Sequence, residues 1–196
     1  MSIEHFPHSE DLKYRKIVGG ISFPGIRPGF IVIVGELRQV TDRKFILLDE
    51  YESFDVENLI VRAAALDLYY KPEKWVSGEL DKATTKLLME NNRQLSQPGS
   101  RRLRIVPSRI VGLEDEMFRY VYPKLKKIAG ENGELDISKG KMLLNYLSLP
   151  QDSEISTVRL GDYPSIEALC FATMELAEDV KHTSTSRFAK HDNIKI

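Results

Sequence analysis

A single cysteine, Cys170, leaves no partner for an internal disulfide, and its place within an apolar helical run predicts a buried free thiol rather than a nucleophile. An excess of one charge is also missing. With 28 Lys and Arg against 29 Asp and Glu, the formal net charge of −1 gives no global attraction to a polyanion, so any such binding must come from a local patch. No apolar run approaches the roughly 20 residues that cross a bilayer, and the polar N-terminus has no signal-type apolar core. Together these predict a cytoplasmic protein without a membrane partner. The phosphate-loop pattern GxxxxGK[ST] does not occur, which excludes a P-loop nucleotide motor from this sequence. The four histidines, His5, His8, His182 and His191, all lie near the ends, so a zinc site in the core has no imidazole to draw on.

What is present is an ordinary globular composition, 42% hydrophobic over 196 residues, which suffices for one domain with a substantial core. Three short runs rich in β-branched and aromatic residues, Ile17 to Ile21, Phe30 to Val34 and Phe45 to Leu48, predict three strands. The connections FPGIRPG and RQVTDR are too short for a crossover helix, so these strands form an antiparallel meander. The period then changes to that of a helix from Val56 to Leu68, followed by a short strand at Trp75 and Val76 that returns parallel to the first. A helix from Lys82 to Asn91 and a fifth strand from Leu103 to Val106, ending the sheet core, complete a β-β-β-α-β-α-β order. Beyond it the pattern predicts a helix from Leu113 to Ile128, a short strand from Leu135 to Ile137 and a helix from Lys139 to Leu147. A last helix, Ser165 to Val180, carries Ile166, Leu169, Cys170, Thr173, Met174 and Ala177 on one face. Residues 1–13 read as a flexible arm, 14–180 as the folded domain, and 181–196 as a flexible basic tail.

The ordered set of a glycine-proline turn after the first strand, a strand running into Asp49-Glu50-Tyr51, a short strand followed by acids in SGELDK, and a late helix opening YPSIEALCFA resembles the nuclease domain of phage large terminase subunits. The resemblance runs from about Tyr14 to Val180 and rests on the order and spacing of short motifs. It implies an α/β, ribonuclease H-like fold: a mixed sheet of a three-strand meander plus parallel strands, flanked by helices. It also implies a magnesium- or manganese-dependent DNA endonuclease acting in genome packaging, on double-stranded DNA and beside an ATPase motor domain or other packaging components. In that family the first strand ends in a metal-holding Asp within a phrase like VDWGxxNPG; alignment on Pro28 and Gly29 puts Ser22 at that place. The second acid corresponds to Glu79 or Asp81, and the acid of the late helix to Glu167.

The chemistry explains the demand for carboxylates. Two divalent ions about 4 Å apart activate water and stabilise the leaving oxygen of a phosphodiester, and such hard ions prefer anionic oxygen ligands. Serine is a weak neutral ligand, so its presence leaves two readings: a metal-dependent nuclease using Glu79, Asp81, Glu167 and Ser22, or a weak, degenerate or silenced DNA-binding and assembly module of the same fold. Asp49, Glu50 or another acid reaching across would be the substitute. Each residue also has a plainer reading. Glu79, Asp81 and Glu167 suit the first turns of helices, Asp49 and Glu50 suit a solvated strand end, and Ser22 suits a turn among Gly19, Gly20, Pro24 and Gly25. The basic residues Arg101, Arg102, Arg104, Lys126 and Lys127, with Arg109 and Lys124, predict either a phosphate-tracking surface or a solvated face.

Overall fold

The computed structural model describes residues 13–38, 44–94, 102–108, 135–138, 140, 142 and 163–173. The chain first lays down β1 (Tyr14–Ser22), β2 (Gly29–Leu37) and β3 (Phe45–Ser53), then α1 (Val56–Tyr70), β4 (Lys74–Ser77), α2 (Lys82–Gln94), β5 (Ile105–Pro107) and β6 (Leu135–Asp136). A further helical stretch covers 164–173 and is called the late helix below. The strands form one six-stranded sheet in the order β5-β4-β1-β2-β3-β6. β1–β2 and β2–β3 pair antiparallel, whereas β1–β4, β4–β5 and β3–β6 pair parallel. The meander and the parallel return of β4 beside β1 are thus as the sequence implies.

β2 shows why a continuous apolar run was needed. Its side chains alternate between two covered faces: Phe30, Val32 and Val34 enter a core with Ile166 and Leu169 of the late helix, while Ile31 and Ile33 enter a core with Leu59, Ile60 and Ala63 of α1. Fully burying each such side chain contributes about 1.5–3 kcal/mol, so the central strand anchors both layers. On the α1 side, Trp75 of β4 is almost fully buried and its Nε1–H donates to Asp67 Oδ1 at 2.9 Å, which supplies the indole with its polar partner. α1 opens on Asp55, whose carboxylate accepts from the Glu57 N–H at 2.7 Å, and closes on Lys71 in the left-handed region at φ 47°.

Several boundaries differ from the sequence pattern. Gly19 and Gly20 lie inside β1, as the run from Ile17 to Ile21 implies, and Ser22 closes the strand rather than belonging to a turn. Gly19 leaves room for the Trp75 ring and Gly20 for the backbone of the late helix. β3 passes the apolar run that ends at Leu48 and runs through Asp49-Glu50-Tyr51, as the motif order implies, to Ser53; it contains a bulge, because Ile33 faces Asp49 while Val34 faces Leu47. The late helix is buried on nearly every side, with Ser165, Ile166 and Ala168 to Ala172 all inaccessible, rather than along one stripe. β5 starts two residues later than the apolar run, at Ile105, and does not finish the sheet, since β6 adds a parallel strand beyond β3. The helices expected over 113–128 and 139–147 fall mostly outside the described residues, as do the arm to residue 12 and the tail from 181.

Candidate functional site

Parallel β1 and β4 end at the same edge of the sheet, where Ile21 lies opposite Ser77. Ser22 is the last residue of β1 and is only 3% exposed. The first turn of the late helix brings Glu167 to it, and the Ser22 hydroxyl donates a hydrogen bond to Glu167 Oε2 across 145 residues of sequence. This approach depends on the glycine two residues earlier. The late helix sits against Gly20 so closely that a side chain there would meet the Ala168 carbonyl and come within 3.0 Å of the Ala172 nitrogen. A hydroxyl donor to a carboxylate is among the stronger neutral-to-ionic hydrogen bonds, so the pair fixes the helix end to the strand end. Behind Glu167, burial pushes the Cys170 thiol up in pKa, and the Glu167 charge adds to it.

The other acids take separate positions. Glu79 is exposed in the connection from β4 to α2. Asp81 is exposed as well and stands at the N-terminus of α2, where its Oδ1 accepts the Thr84 N–H at 2.6 Å. Hydrogen bonds from the backbone N–H and the hydroxyl of Thr84 hold its carboxyl below the ordinary range. Asp49 lies with α1, 3.4 Å from Arg62 Nη2, on the side of the sheet away from Glu167. Glu50 is turned to the late-helix side, opposite Val32, and its Oε1 accepts the Met142 N–H at 2.8 Å. Strand alternation sends these two neighbours to opposite faces, and the bulge just before Asp49 decides which face each takes, a feature that no periodicity in the sequence announces. Among the described residues no group of three or more His, Cys, Asp or Glu is placed to hold a metal ion.

Of the basic candidates, Arg102 and Arg104 are exposed on either side of buried Leu103. Arg101, Lys126 and Lys127 lie outside the described residues, as do Arg109 and Lys124. Sequence reasoning passed over Asn92. Its side-chain amide donates to the Leu103 carbonyl and accepts the Leu103 N–H, both at 2.9 Å, as a strand neighbour would. An asparagine late in a polar helix gives no sequence signal for such a role.

The strand order, the strand directions and the covering helices define a ribonuclease H-like fold. Among solved structures, the chain is similar to the g2p (large terminase) nuclease domain of bacteriophage SPP1 with bound Mn, at 10% identity and a TM-score of 0.50 over 89% of this chain and 94% of that one. It is also similar to RuvC of Thermus thermophilus, at 14% identity and a TM-score of 0.44 over 85% of this chain and 97% of that one. A second RuvC structure from the same organism, in complex with a Holliday junction substrate, gives 14% identity and a TM-score of 0.44 over 86% and 98%. No family model and no curated protein sequence matches the chain.

The described residues do not by themselves fit a two-metal centre. Glu167 is joined to a neutral hydroxyl at the strand end and no group of three such ligands gathers among the described residues, whereas divalent ions of that kind need several converging anionic oxygens. No helix among the described residues is long and apolar enough to cross a membrane.

Proposed function

We propose that this chain is a double-stranded-DNA-binding module built on the nuclease fold of a phage packaging terminase, with its metal-dependent phosphodiester cleavage weakened at Ser22. The hydrogen bond from Ser22 to Glu167 carries this reading. It puts a neutral group where the chemistry calls for a bridging anion, and it occupies one oxygen of the acid that remains. With that charge missing, magnesium or manganese is held less tightly and hydrolysis slows, while the fold and its DNA-facing surface persist. Arg102 and Arg104 would contact phosphates, since both are exposed and neither has an acidic partner among the described residues. The module would work in the host cytoplasm, and an ATPase motor domain among the other packaging components would supply the phosphate loop that this sequence lacks.

A working magnesium- or manganese-dependent endonuclease is the second reading, and the placement of Glu167 at the end of β1 favours it. On that reading Glu79 and Asp81, in the adjoining connection to α2, complete the ligand set with Glu167 and Ser22.

Ser22→Asp separates the two. It sets a second carboxylate against Glu167, so the metal-free protein should melt at a lower temperature than the parent, and manganese should recover the difference by binding the folded state. Chelator-sensitive nicking of supercoiled plasmid should rise at least tenfold. Equal cutting by parent and variant favours the endonuclease reading. Absence of both the manganese shift and the cutting removes the metal site from either reading.

A further inference from the structure

The opposite end of the strands carries a second concave site that the Ser22–Glu167 edge does not use. A cavity of about 350 Å³ opens between the last turn of α2 and the segment leading into β5, lined by Met89, Asn92, Arg93 and Arg102. Two features make it more than a gap between surface side chains. Asn92 holds the Leu103 backbone through both of its amide groups, at 2.9 Å each, so the main chain carrying Arg102 is fixed rather than free. Neither Arg93 nor Arg102 has an acidic partner among the described residues, whereas Lys86, earlier on α2, is paired with Glu90 at 3.8 Å. Two guanidinium groups thus share one hollow with no acidic side chain among the described residues to balance them.

The ligand class follows from charge, shape and size. Guanidinium forks match phosphate oxygens two at a time. The volume lies at the low end of ligand clefts, larger than a bare phosphate needs and suited to a phosphate with its attached sugar or base. Met89, more than half exposed, offers a polarisable apolar surface for that attached ring. We propose that Arg93 and Arg102, held in place by the Asn92–Leu103 clamp, form a nucleotide-sized phosphate site that grips a DNA strand away from the Ser22 edge. This deepens the DNA-binding reading and rests on it for the source of the phosphate.

β5 runs parallel to β4 with Pro107 opposite Ser77, so Arg102 precedes the level of Ser22 by about six residues. At the strand rise this places it at most about 20 Å away along the sheet. The site is therefore a separate handhold and not an extension of the carboxylate edge.

The test compares the full chain, Arg93→Ala/Arg102→Ala, and Lys82→Ala/Lys86→Ala, which removes the same charge from exposed positions of α2 outside the cavity. Duplex binding is measured across a salt series, and a deoxynucleoside monophosphate and inorganic phosphate are titrated separately while the arginine Nε–H signals are followed by NMR. Two lost phosphate contacts should reduce the slope of log K against log salt by about 1.8, at roughly 0.9 per contact. The lysine pair should leave it unchanged, and the mononucleotide should shift the arginine signals at lower concentration than phosphate does. If the arginine variant keeps the parental slope, the cavity is not a phosphate site although DNA binding stands. If DNA does not bind but the mononucleotide does, and the arginine variant abolishes it, the cavity stands and the DNA reading fails. Loss of slope in both double variants alike would overturn the assignment to Arg93 and Arg102.

Discussion

A Cβ atom on Gly20 would run into the carbonyl of Ala168, so the late helix rests directly on the backbone of β1. The Ser22–Glu167 hydrogen bond lies just past this crossing, and the position of Glu167 depends on the absence of one methyl group.

Gly20→Ala should therefore destabilise the fold by about 2–3 kcal/mol, the cost of overpacking against backbone that cannot rotate away. Gly78→Ala provides the comparison, because a Cβ there meets only the Phe171 ring edge at an ordinary 3.6 Å. Urea unfolding of both variants checks the contrast; equal losses would mean that the helix is free to shift.

In the Ser22→Asp background, Glu167→Gln should abolish the manganese-dependent rise in melting temperature, whereas Asp81→Asn should retain it. Asparagine caps a helix as well as aspartate does, so the second change removes a charge without removing the bond to Thr84. Loss of the metal response on Asp81→Asn would make Asp81 a ligand as well as a cap.

Cys170 should resist a thiol reagent at pH 8 until the protein unfolds, because it is fully buried and its pKa is raised first by burial and then by Glu167. The sign of the linkage follows. The protonated thiol is favoured in the folded state, so its share of stability is complete below the unfolded thiol's pKa of about 8.5 and is lost as pH climbs above that. Urea midpoints from pH 7 to 10 should fall less steeply for Cys170→Ala than for the parent. Identical slopes would place the thiol in contact with water.

The meander was legible because its apolar runs are separated by connections too short for anything except a reversal. The parallel return of β4 followed from a helix interposed between two strands. The pairing of Ser22 with Glu167 lay further from reach: helical spacing marks Glu167 as a first-turn residue, and only the order of motifs brings it toward the end of β1. Other features left no trace in a one-dimensional pattern. The bulge that sends Asp49 toward Arg62 and Glu50 toward Met142 depends on cross-strand register. The glycines and prolines around Ser22 suit a turn as well as close approaches, and only the partner surface tells the two apart. Asp81 was readable as a cap or a ligand, and the Thr84 bond supplies the cap.

β6 covers only Phe45 and Ile46 of β3, so among the described residues no strand flanks the remainder of that outer margin. It is the stretch where Asp49, Glu50 and Glu52 stand in close succession. An uncovered strand is an invitation to a neighbouring molecule to extend the sheet, and a run of negative charge withdraws it, since a second copy would have to bring its own carboxylates alongside. Acids on such a margin disfavour strand addition by a second copy, an effect that does not depend on metal or catalysis.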